Sequence, residues 1–232
     1  LFATVATAIV LGCSPEKPET STAKPSDSTA VNGATSSIVE IPTNLKNDAY
    51  SYYGLGSPKP KVYDLTVSNP KPATTAQTIT IVPKGFKDNK ADFEETDSGQ
   101  AMGDSTQEMS LESDGLYVES ISPQTLKTPH FLQLPAKLDR GATWTSRQSV
   151  DAKGQSVDET LKFRVGEIQS VTTPAGKFQA LDIVGTGTGT LQSKPATLFE
   201  ESWYVKDFGM VKQVAKIESQ GVTTTIVQTL RK

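Results

Sequence analysis

The sequence predicts a mainly β protein: a single large curved antiparallel sheet or incomplete β-barrel, preceded by a disordered tether. Three observations carry that expectation. Apolar and polar residues alternate with period two through most of the chain after residue 60, as in Tyr63, Leu65 and Val67 set between Val62, Asp64 and Thr66. Turn-forming pairs recur at short intervals, which suits antiparallel meanders because parallel pairing needs long crossovers. A stretch near the start is rich in Ser, Thr and Pro and poor in anything that could form a core.

The first element, residues 1–12, reads as a truncated signal peptide of the lipoprotein type. Leu1 to Leu11 is an apolar run without a charge, followed by Gly12, Cys13 and an abrupt polar exit at Ser14. The run is too short to span a bilayer, for which about 20 apolar residues are needed. Val10-Leu11-Gly12-Cys13 resembles the lipobox of bacterial lipoproteins. That resemblance implies that Cys13 carries a diacylglycerol and anchors the protein in a lipid bilayer. Each buried methylene adds about 0.8 kcal/mol, so two or three acyl chains would hold firmly. In a two-membrane envelope, Ser14 after the Cys implies sorting to the outer membrane, facing the periplasm or the cell surface.

The second element, residues 13–44, is expected to be a lipidated, disordered linker. Of the 24 residues from Ser14 to Ser37, 13 are Ser, Thr or Pro and none is aromatic. Such a segment cannot bury enough apolar surface to offset its ordering entropy. Its expected use is reach, since Pro stiffens it and the hydroxyls keep it solvated.

Residues 45–232 are expected to form one all-β domain, long enough for a single core. Alternation marks Ile79 and Ile81, then Leu161, Phe163 and Val165, and finally Val222 to Leu230. Asp114-Gly115, Lys153-Gly154, Pro174-Ala175-Gly176, Phe208-Gly209 and Gln220-Gly221 are the turn signals. The acidic stretch Asp88 to Asp104 reads as a long exposed loop. Gly185, Gly187 and Gly189 fall on one face of a strand and leave it bare, which suits a sharply bent strand or a close backbone approach. No helix follows them to offer its amide groups to a phosphate, so they do not read as a nucleotide loop.

Four motifs carry a second resemblance. Gly141-Ala142-Thr143-Trp144, then Val171-Thr172-Thr173-Pro174-Ala175-Gly176-Lys177-Phe178-Gln179-Ala180, Trp203-Tyr204, and Gly209-Met210-Val211-Lys212 follow one another in that order. The series is similar to a family of bacterial exported proteins and lipoproteins of unassigned function. The resemblance implies a curved antiparallel sheet similar to the incomplete barrels of periplasmic lipoprotein carriers.

Composition excludes much chemistry. One Cys and one His leave no internal disulfide and no zinc site of the usual kind, and no metal is expected. A net charge of −3, from 23 basic and 26 acidic side chains, gives no reason to expect nucleic acid. No G-x-S-x-G elbow supports any Ser as a nucleophile, and His130 has no evident catalytic neighbour. Glu200 and Glu201 are adjacent on a strand, so they face opposite ways and cannot share a substrate. No catalytic residue and no cofactor is therefore expected. The expected function is non-enzymatic: a membrane-anchored envelope lipoprotein that binds an apolar ligand or lipid in its curved sheet, with Trp144, Phe178, Phe199 and Trp203 as the binding aromatics. The alternative is an interaction or assembly module that docks on an envelope protein through loops or a strand edge.

Overall fold

The computed structural model describes residues 40–57, 59–69, 71–99, 104–152, 155–191 and 193–232. Cys13, its flanking motif and the Ser/Thr/Pro-rich stretch lie outside the described residues. Packing is already present at Ile41, which is buried together with Leu45 at a single 3-10 turn, Thr43–Leu45.

One short helix follows, α1 (Asp48–Tyr53). The Asn47 side chain caps it by accepting from the Tyr50 amide, and Gly54 ends it in the left-handed region at φ 79. Thirteen strands make up the rest: β1 (Lys61–Val67), β2 (Ala73–Lys87), β3 (Lys90–Gly99), β4 (Ser105–Leu111), β5 (Gly115–Ser122), β6 (Thr125–Leu126), β7 (Phe131–Pro135), β8 (Thr143–Ala152), β9 (Gln155–Thr173), β10 (Gly176–Leu191), β11 (Lys194–Val205), β12 (Gly209–Ser219) and β13 (Val222–Leu230).

All thirteen belong to one antiparallel sheet in the order β6-β8-β9-β10-β11-β12-β13-β1-β2-β3-β4-β5-β7. Two meanders, β1 to β5 and β8 to β13, are joined by the pairing of β13 with β1, where Leu230 lies opposite Tyr63. The sheet curls until β7 lies beside β8, but no ladder joins them and the barrel stays open. The alternation read from the sequence sets the faces: Tyr63, Leu65, Ile79, Ile81, Leu161, Phe163, Val165, Ile226 and Leu230 are all buried.

The curvature has a local cause in β10. A Cβ at Gly187 would overlap the Thr160 carbonyl oxygen of β9, and one at Gly185 would overlap the Phe163 ring. The bare face thus lets β9 fold tightly onto β10. A bulge between Leu181 and Ile183 bends the same pair further.

The acidic stretch from Asp88 is not a loop. Asp88 and Asn89, at φ 52 and 62, make a two-residue hairpin turn, and β3 follows directly. Ala91, Phe93, Glu95 and Asp97 face inward along it and are buried. Two carboxylates at core positions, Glu95 and Asp97, conceal the alternation from a hydrophobicity reading, and Glu95 is held there by the Tyr53 hydroxyl.

One end of the sheet gathers the β2–β3, β4–β5, β9–β10 and β11–β12 turns, the start of β1 and the end of β13. Helix α1 plugs that end. Asn47 donates to the Glu112 carbonyl and the Asp48 carboxylate accepts from the Leu138 amide on one side. On the other, the Asp207 amide donates to the Ser51 carbonyl.

Candidate functional site

Inside the curved sheet the inward positions carry a band of polar side chains among the apolar ones. Gln148 donates to Glu159 at 2.8 Å, Ser202 and Gln213 both donate to Glu200 at 2.9 Å, and Gln228 donates to Gln77 at 2.9 Å. Tyr53 of α1 donates to Glu95 at 2.8 Å. Burial raises the Glu159 and Glu200 carboxyls to about 7, against the opposing pull of the amide and hydroxyl donors. Burial, with Glu95 beside it, pushes Asp97 to about 8. These groups face one another and α1 rather than open solvent, and they act as internal structure.

The four aromatics expected to bind a ligand do not converge. Trp144 faces inward and stacks on Phe163 at a centroid distance of 5.0 Å, inside the core. Along β11 the residues alternate, and Leu198, Glu200, Ser202 and Tyr204 take the inner face. Phe199 and Trp203 therefore lie on the outer face, overlaid by the Lys216 and Lys212 ammonium groups at 5.6 and 4.9 Å. Phe178 lines an opening.

That opening is a cleft of about 540 Å³ at the end of the sheet that α1 plugs. The β9–β10 hairpin builds one wall. Pro174 and Ala175 form its turn, and its tip reaches across the sheet end so that the Ala175 amide donates to the Leu230 carbonyl of β13 at 3.3 Å. Phe178, just past the turn, stacks on Phe208 of the β11–β12 turn at 6.1 Å. Asp207 and Gly209, at φ 60 and 107, shape that turn and set Phe208 in place. Ala175, Phe178, Phe208 and Leu230 thus give the cleft an apolar floor.

Cations rim it. Lys59, Lys61, Arg231 and Lys232 all line the cleft, and no acidic side chain does. Lys61 is 8% exposed, and its ammonium lies 5.5 Å from the Phe208 ring centroid. Among the described residues no carboxylate comes within 4.0 Å of it. Burial lowers its pKa, and the charge of Glu95 partly offsets this. Arg231 is 3.6 Å from Asp64 and so is partly engaged. The sequence signal for the wall was the Thr173-Pro174-Ala175-Gly176-Lys177-Phe178 motif. Lys61, Phe208 and Leu230 had no signal, because the start of β1, the β11–β12 turn and the end of β13 meet only when the sheet has formed.

Two other places bring polar groups together. Glu112, Glu119 and His130 bring one ligand atom each to within 4.8 Å of one another. The Ser110 hydroxyl donates to Glu119 and lies within 3.3 Å of Glu112, Lys90 stands 3.8 Å from Glu119, and His130 Nδ1 is 3.0 Å from it. These contacts account for the cluster without an ion. At the opposite end of the sheet an outer groove of about 390 Å³ is lined by Arg147, Ser149, Asp158, Thr160 and Thr190. Of its two acids, Asp158 already accepts from Ser149 and Thr190, and Glu159 accepts from Gln148.

No family model matches the chain, and no curated protein sequence matches it. Solved structures do. A protein of Bacteroides fragilis, described as exported and of YmcC-like fold, superposes with a TM-score of 0.51 at 10% identity, over 75% of this chain and 95% of that one. A protein of Parabacteroides distasonis, described as a lipoprotein, superposes with a TM-score of 0.53 at 9% identity, over 75% of this chain and 94% of that one. At such identities the likeness is one of fold, and the open, curled antiparallel sheet of this chain is the architecture called YmcC-like in the Bacteroides protein.

Proposed function

We propose that this is an exported, lipid-anchored envelope protein whose folded domain works by binding an apolar group, without catalysis, in the cleft of Phe178 and Phe208. The apolar run ending in Cys13 supports the anchor, and the two fold neighbours, one described as exported and one as a lipoprotein, point the same way. The cleft is the observation that carries the binding. Its volume is in the range of small-ligand sites, and its floor is aromatic and aliphatic. The inner face of the sheet is a poorer candidate, because its own buried side chains pack against one another across it. Docking through a strand edge has less room, since terminal strand β6 has two residues and β7 lies against β8.

A neutral fluorescent naphthylamine titrated into the Cys13→Ser chain should bind saturably, and Phe178→Ala should weaken that binding about tenfold, the loss expected for removing a buried aromatic contact of 1–2 kcal/mol. Absence of saturable binding would exclude the cleft as an apolar site. For the anchor, the unaltered protein should partition with membranes and the Cys13→Ala protein should not.

A further inference from the structure

We propose that the ligand of this cleft is an anionic single-chain amphiphile, with its acidic head on Lys61 and its chain on Phe178 and Phe208. The inference rests on the cleft being the binding site and adds the chemical class of what fills it.

Lysine is almost never buried without a partner, because removing an ammonium from water costs several kcal/mol unless an opposite charge or hydrogen-bond acceptor replaces the solvent. Lys61 departs from that rule. It is buried, carries no ion pair among the described residues, and has its ammonium over the Phe208 ring, with Glu95 beyond ion-pair distance. Its position is dictated by the strand: Lys61, Tyr63 and Leu65 share the inward face of β1, so the first residue of the strand delivers its long side chain to the plugged end. There the backbone at Gly209 passes close to the ammonium, since a Cβ at that position would lie 3.3 Å from it. A Cβ at Gly209 would also lie 2.8 Å from the Tyr53 carbonyl oxygen, so the turn needs glycine to pass between that backbone and Lys61.

The charged side chains that line the opening are all basic, with Glu95 and Asp64 acting on Lys61 and Arg231 from outside the lining. Lys59, Arg231 and Lys232 line the same opening, and no acidic side chain does. A neutral apolar molecule would satisfy the floor and leave the Lys61 ammonium without an opposite charge in the cleft. A bare anion would satisfy the cations and leave Phe178, Phe208 and Leu230 exposed to water. An acyl chain ending in a carboxylate or phosphate answers both, with a charge-assisted contact at one end and apolar burial along the rest. The order of groups also fits a directed ligand. Lys61 sits against Phe208, and the aromatic floor runs from Phe208 to Phe178 at the hairpin wall.

The test compares decanoate with decanol, which share a chain and differ in the head, on the Cys13→Ser protein by calorimetry below their aggregation concentrations. Decanoate should bind about tenfold more tightly, the usual scale for one charge-assisted contact. Lys61→Met should bring the two to equal affinity while decanol binding persists, and Lys61→Arg should keep the preference. Millimolar inorganic phosphate should not displace decanoate. Equal binding of the acid and the alcohol by the unaltered protein overturns the anionic head and leaves the apolar cleft standing. Failure of both to bind overturns the cleft itself. Displacement by inorganic phosphate at matched concentration overturns the amphiphile, and decanoate binding unchanged in both Phe178→Ala and Lys61→Met overturns the location.

Discussion

Glu200 sits mid-strand in β11 with its carboxyl group removed from water, accepting from Ser202 and Gln213, and burial holds its pKa at about 7. The unfolded chain would ionise it near the ordinary carboxylate value. Between those two values the folded state holds the proton and the unfolded state does not, so stability is greatest at low pH and falls as pH rises toward 7. Glu159 shifts in the same direction and for the same reason. Each group contributes up to about 3 kcal/mol of this loss by the pKa difference alone. Glu200→Gln should therefore raise the unfolding midpoint at pH 8 and flatten its dependence between pH 5 and 8, as followed by denaturant titrations at fixed pH. A midpoint that rises with pH in the unaltered protein would contradict the sign. The alternation in the sequence correctly separates Glu200 from Glu201, but it does not say which faces inward. Phe199, Trp203 and Val205 make the outer face look like the core, whereas Leu198, Glu200, Ser202 and Tyr204 are the residues that point in.

At the scale of elements, β10 shows how glycine makes curvature. Its three alternate glycines face inward; the backbone of β9 occupies the space that side chains at Gly187 and Gly189 would need, and the Phe163 ring the space at Gly185. Gly187→Ala should destabilise the domain by about 2 kcal/mol or more, because the new methyl meets a backbone carbonyl that cannot step aside. Gly85→Ala in β2 is the matched control: nothing lies within 4 Å of a Cβ there, and its unfolding midpoint should stay within about 0.5 kcal/mol of the parent. Denaturant titration of the pair separates a packing effect from a general cost of substitution. This element was legible early, since three glycines on one face leave few other uses. Helix α1 was not. Six residues are too few to display a helical stripe, and its stability comes from the Asn47 cap and from contacts at both sides of the sheet end.

Across the whole molecule the decisive contact is between the first and last strands. β13 pairs with β1 and so joins the two meanders into one sheet, and Tyr63 of β1 reaches past it to donate to the Met210 carbonyl of β12 at 2.8 Å. A chain ending before Val222 should lose that junction, expose the inner face of β1 and β12, and fail to give a cooperative unfolding transition by circular dichroism. Independent unfolding of two stable halves would show instead that each meander stands alone. The same junction makes the candidate site. Lys61 begins β1, Leu230 and Arg231 end β13, and the β9–β10 and β11–β12 turns bring Phe178 and Phe208 to them.

The sequence by itself determined the strand-rich class, the positions of four turns (the fifth, Lys153-Gly154, lies outside the described residues) and the bent glycine strand, because these depend on neighbours along the chain. Period-two alternation, left-handed turn residues and missing side chains are local facts. Tertiary structure alone decided which face of β11 is inside, why Glu95 and Asp97 can be buried in β3, and where a ligand could sit. Those outcomes depend on pairing energies between residues more than 100 positions apart, such as Gln77 with Gln228 and Tyr63 with Met210, and on turns that meet only after the sheet has curled. A buried charge is explained by what surrounds it, and its surroundings are set by the fold.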